Sequence, residues 1–307
     1  MGKVGQTLAF QLLHEDFFEE LSLVDAQNGS IRASKVVIDL AHAAATLNID
    51  AKIHSVNSAE EITTADLIVV TAGRPAVANQ GRRDLVSSNS IIIRDLARKL
   101  GKSNPRAKYI IVTNPVDAMS TLFQRESGVD HVVSSGCHID SLRLRSELSN
   151  LFGINLGDVN AFVGGEHGSA SVFLWSTVRL NGNSLTEYIH DVRKEHDVRE
   201  QLVEAVREKP EEIIRTLGGV AYGPACAVAD VVRAISRKQN FILSVGLPFR
   251  IQKSEEYVHV SKPISFDGGT IVPKKLTEEE DASIENAALT VFQTYKTAQS
   301  FAQISTN

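Results

Sequence analysis

Two short runs in this chain could carry out proton chemistry on an acid. Gly164-Gly165-Glu166-His167-Gly168 closes an apolar, strand-like stretch, and Asp140-Ser141-Leu142-Arg143 precedes it. A histidine in a glycine-rich turn at a strand end is exposed and titrates near neutrality. An acid and a guanidinium three positions apart on a helix share one face, so Asp140 and Arg143 point the same way. Histidine, acid and arginine together can move a proton while gripping a carboxylate bidentately. Taken singly, each has a plainer reading. A lone histidine is more often a turn or core residue, and an acid–arginine pair at this spacing is usually a helix ion pair.

The elements that must position these residues follow from periodicity. Residues 21–25, 51–56, 67–71 and 109–113 read as buried strands, with helical patterns at 2–14, 31–45 and 85–100. Continuous β-branched runs alternating with helices imply a parallel sheet covered on both faces. The second half predicts strands at 159–163, 172–180, 241–245 and 257–260, a charged helical region over 185–217 and an alanine- and valine-rich helix after Tyr222-Gly223-Pro224. Asp267-Gly268-Gly269 reads as a hairpin turn. A final helix starts at Thr277, with Thr277 and Glu280 as a capping box and Ile284, Ala288, Val291, Tyr295 and Ala298 as its apolar stripe. The expected class is α/β, a Rossmann-type doubly wound parallel sheet over 1–139 followed by an α+β catalytic unit over 140–307.

Composition narrows the partners. The chain has 307 residues, 43% hydrophobic, with a net charge of −5. No large basic cluster or apolar span suggests nucleic acid or a membrane as partner. Two cysteines, Cys137 and Cys226, fit a reducing compartment. The expectation is a cytoplasmic protein acting on a small molecule.

The start of the chain adds a cofactor signal. Gly2 and Gly5 match the last two glycines of a G-x-G-x-x-G dinucleotide motif, and Asp25 ends the next strand, where an acid bonds the adenosine ribose. That acid favours NAD, because a 2′-phosphate would meet like charge. The motif lacks its first glycine and the strand before it. The expectation is that upstream codons encode that strand, and that without it the sheet carries two unpaired edges.

By this point the chain resembles the malate/lactate dehydrogenase family over nearly its whole length. The resemblance rests on Gly2-Lys3-Val4-Gly5, Val24-Asp25, Asp39-Leu40, Thr71-Ala72-Gly73-Arg74-Pro75, Arg82-Arg83-Asp84-Leu85, Thr113-Asn114-Pro115-Val116-Asp117, Asp140 to Arg143 and Gly165 to Gly168, in that order. It implies an NAD domain, a catalytic domain, a homodimer or homotetramer and no metal. It also implies roles. His167 would be the acid–base, oriented by Asp140, and Arg143 would hold the substrate carboxylate. Arg82 would polarise the substrate carbonyl, and Asn114 would bond the substrate oxygen near the nicotinamide. Gly2, Gly5, Asp25, Thr71, Gly73 and Asn114 would line the cofactor. The substrate would be a small 2-hydroxy or 2-oxo acid.

Three departures from the family pattern stand out, and the first two bear on substrate. Ungapped counting back from Arg82 puts Ala76 where malate enzymes carry arginine and lactate enzymes glutamine. Val220 stands where many relatives place threonine or alanine, and Ser169 where an aspartate is usual. A more apolar 2-hydroxy acid therefore competes with malate. A non-catalytic paralogue is a second alternative. An NAD-dependent glycosidase is a third, and would need a metal at Cys137-His138.

Overall fold

The structure is a computed structural model. It describes residues 1–15, 17–25, 30–50, 52–75, 82–237, 241–252, 254, 256–267 and 270–304, with backbone alone at 30, 82–84, 267, 270–273 and 304. In chain order the first half runs α1 (Lys3–Leu12), β1 (Glu20–Val24), α2 (Ser30–Leu47), β2 (Lys52–Val56), β3 (Leu67–Val70), α3 (Arg82–Ser103), β4 (Lys108–Ile111), α4 (Val116–Ser127) and β5 (Val132–Ser134). The expected strands and helices are in place, within a few residues. β1 pairs with β2, β3 with β4 and β4 with β5, all in parallel. Helices cover both faces, so Tyr109, Ile110 and Ile111 of β4 are wholly buried. This is the burial that a β-branched run without polar alternation requires.

Among the described residues the two expected unpaired edges are also there. β1 and β2 form a two-stranded sheet of their own, while β3 ends a separate eight-stranded sheet. α1 and its C-cap residue Leu13 span the division with their apolar face. Ala9 and Leu13 pack with Leu23, Leu40 and Ala44, while Leu8 and Leu12 pack with Ile110 and Val133.

The second half runs α5 (His138–Phe152), β6 (Val159–Gly165), β7 (Ser171–Leu180), α6 (Leu185–Ile189), α7 (Val192–Leu217), α8 (Tyr222–Arg237), β8 (Phe241–Arg250), β9 (Tyr257–Asp267), β10 (Thr270–Pro273) and α9 (Glu278–Ile304). The large sheet has the order β3-β4-β5-β8-β9-β6-β7, with β10 on β9. Parallel strands of the first half thus continue into antiparallel strands of the second through Ser134 and Gly246.

The structure refines three boundaries. The charged region over 185–217 is two helices, because Ser184 and Glu187 cap α6 and His190 turns left-handed at φ 57°. Asp191 then caps α7 by accepting from the N–H groups of Arg193 and Lys194. β8 and β9 outrun the expected strands because they pair from Phe241↔Phe266 to Arg250↔Tyr257. α9 starts with the expected box, Glu280 N–H donating to Thr277 Oγ1 and Thr277 N–H to Glu280, and its stripe is buried. Gly268 and Gly269 of the expected hairpin turn lie outside the described residues. No described helix is long and apolar enough to cross a membrane.

Candidate active site

The turn after β6 is built from glycine and a buried acid. Gly165 has φ 79°, and a Cβ there would lie 2.7 Å from Ala170 O. Only glycine enters the turn without strain. Glu166, buried, accepts the Ala170 N–H and closes the turn. His167 follows with its side chain 22% exposed, so it is more enclosed than a surface turn residue.

Three elements converge on His167. Its Nδ1 lies 2.6 Å from Asp140 Oδ2 on α5. Its backbone N–H donates to Asp117 Oδ2 on α4 at 2.7 Å. The other Asp140 oxygen accepts from Arg143 Nη1 at 2.8 Å, so one carboxylate serves both cations. A carboxylate facing Nδ1 places the ring proton there and leaves Nε2 for a ligand. Among the described residues, Arg143 Nε and Nη2 have no hydrogen-bond partner.

Electrostatics follows from this packing. Burial disfavours the His167 imidazolium, but the charge and hydrogen bond of Asp140 outweigh it and raise its pKa above the ordinary value. Burial alone would raise Asp140, yet His167 and Arg143 hold it below the usual range. Burial pushes the Asp117 carboxyl up to about 6, against hydrogen bonds from His167 N–H and the Ser134 hydroxyl.

The cofactor end is a set of close approaches. A Cβ on Gly5 would come 2.8 Å from Thr71 Oγ1, and one on Gly73 would come 2.5 Å from Thr113 Cγ2. Space at Gly2 is open. Asn89, wholly buried, accepts from Arg74 N–H at 2.7 Å and donates to Arg74 O and to Asn114 O. The Asn114–Pro115 bond is cis. Asp25 is buried at the end of β1 and pairs with the Met1 ammonium. Among the described residues α1 has no side-chain cap and no acid in its first turn. Its free N–H groups and positive helix end suit a diphosphate, so these residues fit a dinucleotide. The Arg82 side chain and Ala76 lie outside the described residues.

The two halves of the chain also match known proteins. Residues 1–133 match the lactate/malate dehydrogenase NAD binding domain, and 137–302 the lactate/malate dehydrogenase α/β C-terminal domain. The chain belongs to the lactate/malate dehydrogenase family. This dehydrogenase is 33% identical over 299 residues to malate dehydrogenase from Sulfolobus acidocaldarius, covering 96% of the chain and 94% of that protein. It is 36% identical over 283 residues to the enzyme so named from Sulfurisphaera tokodaii, covering 92% of the chain and 88% of that protein. It is 30% identical over 265 residues to L-lactate dehydrogenase from Staphylococcus saprophyticus, covering 85% and 82%. Malate dehydrogenase from Aeropyrum pernix superposes with a TM-score of 0.86 at 28% identity, covering 96% of each chain. This dehydrogenase is an NAD-dependent oxidoreductase of 2-hydroxy and 2-oxo acids.

The structure brings Asp140 and Arg143 together as helix spacing predicts, and sets His167 against Asp140 as the family resemblance implies. It adds Asp117, Asn89 and Ser134. Only the placement of Asp117 within Asn114-Pro115-Val116-Asp117 hinted at any of them. The Cys137-His138 pair turns two ways, Cys137 Sγ donating to Gly164 O and His138 Nε2 lying against Asp230.

Proposed function

We propose that His167 is the acid–base of this dehydrogenase, that Asp140 orients it and that Arg143 binds the substrate carboxylate. The observation that carries this reading is the Asp140 carboxylate, which bonds His167 Nδ1 and Arg143 Nη1 at once. His167 Nε2 takes the proton of the 2-hydroxy group during oxidation and returns it to the 2-oxo oxygen during reduction. The raised pKa keeps the imidazolium available for the second direction. Arg143 fixes the substrate through its remaining N–H groups, a fork that lysine would not imitate. NAD supplies the hydride acceptor or donor when bound. Gly2, Gly5, Thr71 and Gly73 would let its backbone-facing groups approach, with Asp25 on the adenosine ribose. Asn114 would face both nicotinamide and substrate oxygen, and Arg82 would polarise the carbonyl.

The assignment divides the chain at 139/140 into cofactor and catalytic domains. Ala76 favours a 2-oxo acid without a second carboxylate over oxaloacetate. A cytoplasmic homodimer or homotetramer fits the two free cysteines and the exposed Ile31 and Ile38 along α2. His167→Asn tests the core of the proposal. NADH oxidation with a 2-oxo acid should fall at least ~10²-fold in kcat, with NADH affinity kept. Turnover near that of the unsubstituted enzyme removes His167 from the chemistry.

A further inference from the structure

β6 runs beside β7 through Val163↔Phe173. On its other side, among the described residues, it pairs with β9 at Gly165–Ser261 alone. The backbone groups of Val163 on that side therefore need other partners, because buried N–H and C=O groups are costly when unpaired. Two serines supply them. Ser141 Oγ accepts from Val163 N–H at 2.9 Å, and the Ser244 hydroxyl donates to Val163 O. Ser141 is 1% exposed and its hydroxyl proton goes to Cys137 O, at the N-cap of α5, at 2.9 Å, with Val163 O farther off at 3.4 Å. Its oxygen therefore belongs to the helix and holds the strand.

The placement of this bond is what matters. Ser141 directly follows Asp140, and Val163 lies on the strand that delivers His167. Together with the longer Cys137 Sγ–Gly164 O contact of 3.3 Å, the Ser141 hydroxyl ties the helix bearing the acid to the strand bearing the base. We propose that Ser141 is a positioning residue that sets the separation of Asp140 and His167. The proposal rests on the acid–base reading of His167. Without the hydroxyl, Val163 N–H is buried and unpaired, so β6 shifts to find a partner. The 2.6 Å bond between Asp140 and His167 then lengthens, and the imidazolium loses support against its own burial.

The test is the pH profile of kcat/KM for 2-oxo acid reduction. Activity needs protonated His167, so the profile declines as pH rises through its pKa. The charged groups facing His167 are Asp140 and Arg143 from α5 and Asp117 from α4, and Asp117 in turn feels Glu166 in the histidine's own turn. Ser141→Ala changes none of them. In Ser141→Ala the declining limb should move to lower pH by about half to one unit, or roughly 3- to 10-fold in activity on the alkaline side, with KM for NADH unchanged. Ser141→Cys, which keeps the shape with a weaker hydrogen-bonding group, should move it less in the same direction, and decides the matter if the alanine variant does not fold. Ser244→Ala removes the other bond to Val163 without touching α5. It should lower Tm and leave the limb in place. An unmoved limb in Ser141→Ala or Ser141→Cys overturns the proposal, as does an equal shift in Ser244→Ala. The presence of a limb in the unsubstituted enzyme, and its loss in His167→Asn, tests the acid–base reading separately.

Discussion

Gly73→Ala tests how tightly the cofactor wall is built. The added Cβ would stand 2.5 Å from Thr113 Cγ2 and 3.2 Å from Asn89 Oδ1. Carbon pairs are comfortable at about 3.5–4.0 Å, so the methyl overlaps Thr113 by roughly 1 Å. Neither neighbour has room to yield. Thr113 is β-branched, hence stiff, and its Oγ1 donates to Ala72 O at 2.7 Å. Asn89 is wholly buried and spends its amide on Arg74 and Asn114. Overpacking of this kind costs about 1–3 kcal/mol, enough to lower Tm by several degrees in a chain of this size. The strain passes through Asn89 to the Asn114 carbonyl. NADH should therefore bind about 5- to 20-fold more weakly, at about 1.4 kcal/mol per tenfold. Thr113→Ser in the same chain removes Cγ2 but keeps the hydroxyl, so it should recover most of both losses. Thermal unfolding and NADH fluorescence titration on the two singles and the double form the cycle. A Gly73→Ala protein with unchanged Tm and affinity refutes the packing argument. So does a double variant no better than the single.

Three further outcomes follow from the site. Asp140→Asn leaves burial of His167 uncompensated, so its pKa should drop and the declining limb of reduction should move to lower pH, read from kcat/KM against pH. Loss or gain of signal at one pH alone would not separate this from a binding defect. Asp25→Ser should narrow the preference for NADH over NADPH chiefly by improving NADPH binding; an unsubstituted enzyme that uses both equally would remove Asp25 from the ribose. Ala76→Arg should raise kcat/KM for oxaloacetate by about 10-fold or more and depress apolar 2-oxo acids, which offer the guanidinium no carboxylate to pair with. Strong preference for oxaloacetate in both proteins would assign the second carboxylate to another group.

What was legible from residue order was whatever depends on neighbours in sequence. Asp140 and Arg143 met because a helix puts positions three apart on one face. Thr277 and Glu280 capped α9 for the same local reason. The break between α6 and α7 is equally local, set by Ser184, Glu187 and Asp191, but the charged pattern runs straight through it and hides it. The hidden parts were non-local. Asp117 meets His167 across 50 residues, and Asn89 reaches Asn114 across 25. β5, with three residues, is too short to show a period. The replacement of a strand neighbour by Ser141 and Ser244 depends on where β9 stops accompanying β6, which no pattern within β6 reveals.

The split sheet makes the small β1–α2–β2 corner an annex. Its apolar interior is completed by Ala9 of α1 and by Leu13 at the end of that helix, and among the described residues that helix is its main attachment to the rest. A unit joined through one helix opens at lower free energy than the sheet beside it. Cofactor would bear on both sides of that joint, at the N-terminus of α1 and at Asp25 at the end of β1. Its binding energy thus becomes tethering energy for the annex, about 2.7 kcal/mol at a hundredfold excess over Kd. Amide exchange across 20–56 should slow with NADH by far more than exchange in β8 and β9, where the molecule is already closed.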